Sequence, residues 1–69
     1  MKAQEIFGKN IRSFRVKKQL SQEVLAERAG LHRTYIGMVE RGEKNVTLES
    51  MSKLAKALGV KVVALLGGL

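Results

Sequence analysis

Apolar residues recur along this chain of 69 residues at intervals of three and four, which is the period of an amphipathic helix. Near the N-terminus, for example, Phe7, Ile11 and Phe14 share one helical face. No run of four or more residues alternates apolar and polar positions as a half-buried strand would. The pattern predicts an all-α fold with helices over about 3–18, 22–29, 33–41, 48–58 and 60–66.

Residues that start and stop helices divide this pattern. Ser21 and Thr47 can cap the second and fourth helices, because a hydroxyl accepts a hydrogen bond from a free backbone amide. Gly30, Gly42 and Gly59 can end helices, since glycine readily takes a positive φ. The final run VKVVALL could form a strand or a helix, and its helical surroundings favour a fifth helix.

The segment 21–42 predicts two short helices joined by a tight turn. Ala26 is small enough for the two helices to approach closely, and Gly30 can supply the turn. Ile36 and Val39 lie on the inner face of the second of these helices. The remaining faces of that helix are therefore free to present polar side chains to a groove.

The charge balance favours a polyanionic partner. Lysine and arginine total 13, acidic residues total 6, and the formal net charge is +7. A small domain this basic favours nucleic acid ahead of an anionic membrane surface, and a merely soluble cationic surface is the alternative. No apolar run approaches the ~20 residues that cross a bilayer, and no signal-peptide core is evident. We expect a cytoplasmic, nucleoid-associated protein.

Catalytic and metal chemistry are not expected. The chain has no cysteine, no aspartate and a single histidine, His32. A nucleophile–base pair, a carboxylate dyad or a metal cluster would need more of these side chains close together. We therefore expect no enzyme activity, no cofactor, no metal site and no small-molecule ligand.

One motif resembles a known family. The spacing Q-x3-A-x3-G-x5-I-x2-V, beginning at Gln22, is similar to the helix-turn-helix of the Cro and phage-repressor family. The longer string RTYIGMVERGEKNVTLESMSKLAKALGV resembles controller proteins of restriction–modification systems. The resemblance implies one compact five-helix, lambda-repressor-like domain over 1–69, binding operator DNA as a symmetric dimer.

The resemblance places the recognition helix at about 33–41 and its base-contacting positions at Arg33, Thr34, Tyr35 and Met38. Arginine suits a bidentate contact to guanine, and a phosphate contact or a solvated charge is the alternative for Arg33. Thr34 could contact a base or be an ordinary first-turn residue. Tyr35 could lie at the groove or pack against the core, and Met38 could offer only apolar contact.

The resemblance also implies a set of phosphate contacts: Gln22, Arg41, Lys44, Asn45 and Thr47. Gln22 begins the second helix, where the dipole and free amides favour an anion, although it could be an ordinary first-turn glutamine. Thr47 can cap the fourth helix and contact a phosphate at the same time. Arg15 and Glu40 match a structural ion pair between the first and third helices of the family, so Arg15 is not counted as a DNA contact.

The apolar tail suggests a homodimer interface at Val60, Val62, Val63 and Leu66, since it holds more apolar residues than one short helix can hide. The hypothesis is a sequence-specific regulator of transcription that binds double-stranded DNA as a dimer at a pseudo-palindromic operator. A restriction–modification controller is one candidate role. The alternative is an antitoxin, or another interaction module whose main partner is a protein.

Overall fold

The computed structural model describes residues 2–69 and folds them into five α-helices. They are α1 (Ala3–Lys17), α2 (Gln22–Ala29), α3 (Arg33–Glu40), α4 (Leu48–Leu58) and α5 (Val62–Leu65). The all-α prediction is confirmed, and the ambiguous final run is helical. The predicted boundaries agree closely for the first four helices, whereas α5 is one turn and shorter than expected.

The predicted caps are present at two helix starts. The Ser21 hydroxyl accepts a hydrogen bond from the Val24 amide at 3.0 Å, and the Thr47 hydroxyl accepts one from the Ser50 amide at 3.1 Å. Gly30 then ends α2 with φ +68°, which turns the chain sharply into α3. These local signals fix where the second helix begins and ends.

The end of α1 has a feature that the sequence did not indicate. Gln19 takes φ +58°, the only positive φ outside glycine in residues 2–69. The Leu20 amide donates back to the Arg15 carbonyl at 3.0 Å, as in the helix ends that glycine usually forms. A glutamine therefore occupies a left-handed position that favours glycine.

All five helices contribute to one apolar core. The buried side chains are Phe7, Ile11, Leu25, Ala26, Ala29, Ile36, Val39, Leu54, Ala55, Leu58 and Leu65. Within residues 2–69 no polar or charged residue is fully buried. No helix in that range is long and apolar enough to cross a membrane.

Two contacts fix α1 against the rest of the fold. At Gly8 the helix passes so close to the end of α3 that an added Cβ would overlap the Val39 carbonyl oxygen. The Asn10 side-chain amide donates to the carbonyls of Leu65 and Gly67, at 2.9 and 2.8 Å. Together these contacts tie α1 to α3, to the end of α5 and to the segment that follows it.

Candidate nucleic-acid interface

A charged pair joins α1 to the end of α3. The Arg15 Nε donates to Glu40 Oε2 at 2.7 Å, and Nη2 donates to Oε1 at 3.0 Å. Both side chains are largely buried, with 12% and 3% of their surfaces exposed. The hydrogen bond to Glu40 raises the pKa of Arg15. The pair expected from the resemblance is therefore present, and it holds the orientation of α3.

Gln22 takes part in the same network. Its Nε2 donates to Glu40 Oε1 at 3.0 Å, so the side chain of this expected phosphate contact is held by a carboxylate on α3. An amide group carries two hydrogens, and one remains free for another acceptor. The sequence motif placed Gln22 at the start of α2 but gave no sign of its contact with Glu40.

The four expected base contacts differ in exposure. Arg33 and Thr34 are exposed in the first turn of α3. Tyr35 is half-buried and packs against the core, as in the packing alternative considered for it. Met38 is also half-buried. Arg33 and Thr34 are therefore the two members of this set that are most accessible to a DNA groove.

The outer face of α3 has a gap at Gly37, and polar side chains close over it. A Cβ at this position would lie 3.1 Å from Arg41 Nη1 and 3.8 Å from Gln22 Oε1. Gly37 is buried beneath these groups. The absence of a side chain at position 37 thus lets Arg41 and Gln22 approach the backbone of α3.

Arg41 has an acidic partner that the sequence interpretation missed. Its Nε and Nη2 donate to the two carboxylate oxygens of Glu43 at 3.1 and 3.2 Å. The hydrogen bond to Glu43 raises the pKa of Arg41. The only signal in the sequence is an acid two positions after the arginine, and that spacing alone does not specify a contact.

The other expected phosphate contacts form an exposed loop. Lys44, Asn45 and Thr47 are all exposed between α3 and α4, and Thr47 also caps α4. His32 precedes α3 at its cap position, is exposed, and forms no capping bond through its side chain. The polar side chains of this loop and of the first turn of α3 are thus exposed to solvent.

The apolar tail is largely packed within its own chain. Val60, Val62 and Leu66 are half-buried and pack against the core, whereas Val63 is 71% exposed. The segment therefore hides part of its apolar surface at three of the four positions, and the homodimer interface remains a prediction. Leu48, at the start of α4, is an exposed apolar side chain that the sequence interpretation did not include.

Comparison with known proteins identifies the family. The Helix-turn-helix family model matches residues 11–65. The chain belongs to the helix-turn-helix family. It is 58% identical over 66 residues to the control protein C.SmaI of Serratia marcescens, covering 96% of this chain and 79% of that protein. It is 49% identical over 57 residues to the control protein C.BamHI of Bacillus amyloliquefaciens, covering 81% of this chain and 70% of that protein.

A solved structure has the same fold. The restriction–modification controller protein C.AhdI from Aeromonas hydrophila matches with a TM-score of 0.88 at 47% identity, covering 90% of this chain and 94% of that one. The resemblance to controller proteins is therefore confirmed, and the chain is a helix-turn-helix transcriptional regulator. The structure forms α2, the turn at Gly30 and α3 in the segment where the motif predicts the helix-turn-helix.

Proposed function

We propose that this helix-turn-helix regulator recognises a specific sequence in double-stranded DNA, with α3 lying in the major groove. The observation that carries the proposal is the exposure of Arg33 and Thr34 in the first turn of α3. Ile36 and Val39 anchor the opposite face of this helix in the core. The helix can therefore present polar groups to base edges without exposing its apolar side.

Arg33 makes the main base contact in this proposal, because its guanidinium can donate two hydrogen bonds to one guanine. Thr34 reaches an adjacent base edge or a thymine methyl group. Met38 adds an apolar contact from its exposed part, and Tyr35 contributes through its hydroxyl while its ring packs against the core. Hydrogen-bond discrimination thus depends chiefly on Arg33.

The phosphate contacts come from two ends of the motif. Gln22 offers its free amide hydrogen at the N-terminus of α2, where the helix dipole favours an anion. Arg41, Lys44, Asn45 and Thr47 provide the second group of donors. These contacts position the protein on the duplex, and the net charge of +7 supports the approach to DNA.

The regulator acts as a dimer in this proposal, with two copies of α3 about one helical turn of DNA apart, roughly 34 Å. Val63 forms the centre of the interface because its side chain is 71% exposed, and Val60, Val62 and Leu66 surround it. Such a dimer would bind a pseudo-palindromic operator. A monomer in sedimentation at micromolar concentration, both with and without DNA, would contradict this assembly.

Control of a restriction–modification system is the role that we propose. The similarity to C.SmaI, C.BamHI and C.AhdI supports it, because all three are control or controller proteins. Selection of bound sites from random duplex DNA would test specificity, symmetry and half-site spacing together. An unselective pool would contradict sequence-specific binding.

A pair of variants separates base recognition from phosphate contact. Arg33→Ala should weaken binding to the selected site by ~1–3 kcal/mol and relax preference at one base step. Lys44→Ala is the control: it should weaken binding to all sequences alike and reduce the salt slope by about 0.9 per subunit. Equal loss on specific and random DNA for Arg33→Ala would refute its role in base recognition.

A further inference from the structure

One cation of the proposed DNA interface, Arg41, is already paired with a carboxylate of the same chain. Glu43 accepts two hydrogen bonds from one edge of the Arg41 guanidinium, at 3.1 and 3.2 Å. The same guanidinium lies over Gly37, on the recognition helix, with Nη1 3.1 Å from the position that a Cβ would take. Arg41 is thus held at the interface with its positive charge already partnered.

We propose that Glu43 competes with DNA phosphate for Arg41 and thereby lowers the affinity of this protein for DNA. A phosphate group accepts hydrogen bonds from the same fork of donors that the carboxylate uses, so both cannot occupy one edge together. When DNA binds, the Glu43 carboxylate leaves Arg41 and returns to solvent. This inference rests on the proposed phosphate contact of Arg41.

The backbone keeps Glu43 close to Arg41 while its side chain remains free to move. The Glu43 amide donates to the Met38 carbonyl at 2.9 Å, and Gly42 turns the chain with φ +74°. Both side chains of the pair are exposed, at 60% for Arg41 and 51% for Glu43. Exposed pairs are weak, so phosphate can displace the carboxylate.

A neutral isostere at position 43 tests the competition. Glu43→Gln should tighten binding to both operator and random duplexes by about 2- to 5-fold per subunit, the range that an exposed pair implies. The salt slope should change by much less than the ~0.9 of one phosphate contact, since Arg41 contacts a phosphate in both proteins once the carboxylate has left. Fluorescence anisotropy titrations at several salt concentrations measure both quantities.

A control separates the pair from a general change in charge. Glu27 is exposed and lies beside the groove between α2 and α4, so Glu27→Gln removes the same charge from another face. It should change the affinity by less than about 2-fold, as expected for a screened and distant charge. An equal gain for Glu27→Gln and Glu43→Gln would overturn the proposal.

A double-mutant cycle isolates the role of Arg41. In an Arg41→Gln background the gain from Glu43→Gln should disappear, because no cation remains to be released. A gain that persists undiminished, or a Glu43→Gln variant that binds no tighter than the wild type, would refute the competition. If the wild type bound neither operator nor random DNA, the proposed function itself would fail, which is a separate outcome.

Discussion

Gly8, the one glycine of α1, should not tolerate a side chain, because the helix crosses the end of α3 there. An added Cβ would overlap the Val39 carbonyl oxygen and lie 2.9 Å from the Glu40 carbonyl oxygen. Both obstacles are backbone atoms, so no side-chain rotation can make room. Overpacking costs about 1–3 kcal/mol, and alanine returns about 1 kcal/mol of helix propensity. With the cost at the upper end, Gly8→Ala should destabilise the fold by about 2 kcal/mol.

The assay for Gly8→Ala is urea denaturation followed by far-UV circular dichroism at one fixed protein concentration, since dimerisation would make stability depend on concentration. The corresponding fall in Tm is roughly 8–16 °C for a domain of this size. Gly67→Ala is the matched control: the nearest atom to its Cβ is the Ala64 oxygen at 3.9 Å. It should change stability by less than about 0.5 kcal/mol. A Gly8→Ala variant as stable as the wild type would refute the reasoning.

Three further substitutions, one of them paired with a control, test contacts of α1 and the turn that follows it. Arg15→Ala leaves the buried Glu40 carboxylate without its cation, and thermal melting should show a loss of about 3 kcal/mol; a loss below about 1 kcal/mol would mean that the pair is dispensable. Gln19→Gly should raise the urea midpoint, gaining about 0.5–1 kcal/mol by relieving the positive φ, whereas Lys18→Gly, at φ −84°, should lower it. Asn10→Asp replaces a group that donates two hydrogen bonds with a carboxylate that faces two carbonyl oxygens. It should lower the free energy of unfolding by about 1–3 kcal/mol and speed amide hydrogen exchange near the C-terminus. Unchanged exchange would contradict this role of Asn10.

The sequence predicted those parts of the fold that depend on local chemistry. Ser21 and Thr47 accept the amide hydrogens of their own first turns, and Gly30 takes a positive φ, so neighbouring residues sufficed to place these helix ends. Gln19 was missed because its left-handed conformation carries no glycine signal. The Asn10 contact was missed because its acceptors lie more than 50 residues away in the chain.

The resemblance to a family supplied the long-range part of the candidate site, but only where the family has a pairing rule. It related Arg15 to Glu40 across 25 residues, which periodicity could not do. It did not indicate that Gln22 also donates to Glu40, or that Glu43 partners Arg41. Those two contacts depend on how side chains are placed around the C-terminal end of α3, and sequence spacing leaves that placement undetermined.

Gly8 and Gly37 show that the same residue type within a helix can have different roles. Each glycine costs about 1 kcal/mol of helix stability relative to alanine. The sequence can therefore indicate only that some contact offsets this cost. At Gly8 the neighbour is the immovable backbone of α3, whereas at Gly37 it is the flexible end of Arg41. The first glycine therefore governs stability, and the second governs where a cation lies at the proposed interface. Only the spatial arrangement of α1, α3 and the loop after α3 distinguishes these two roles.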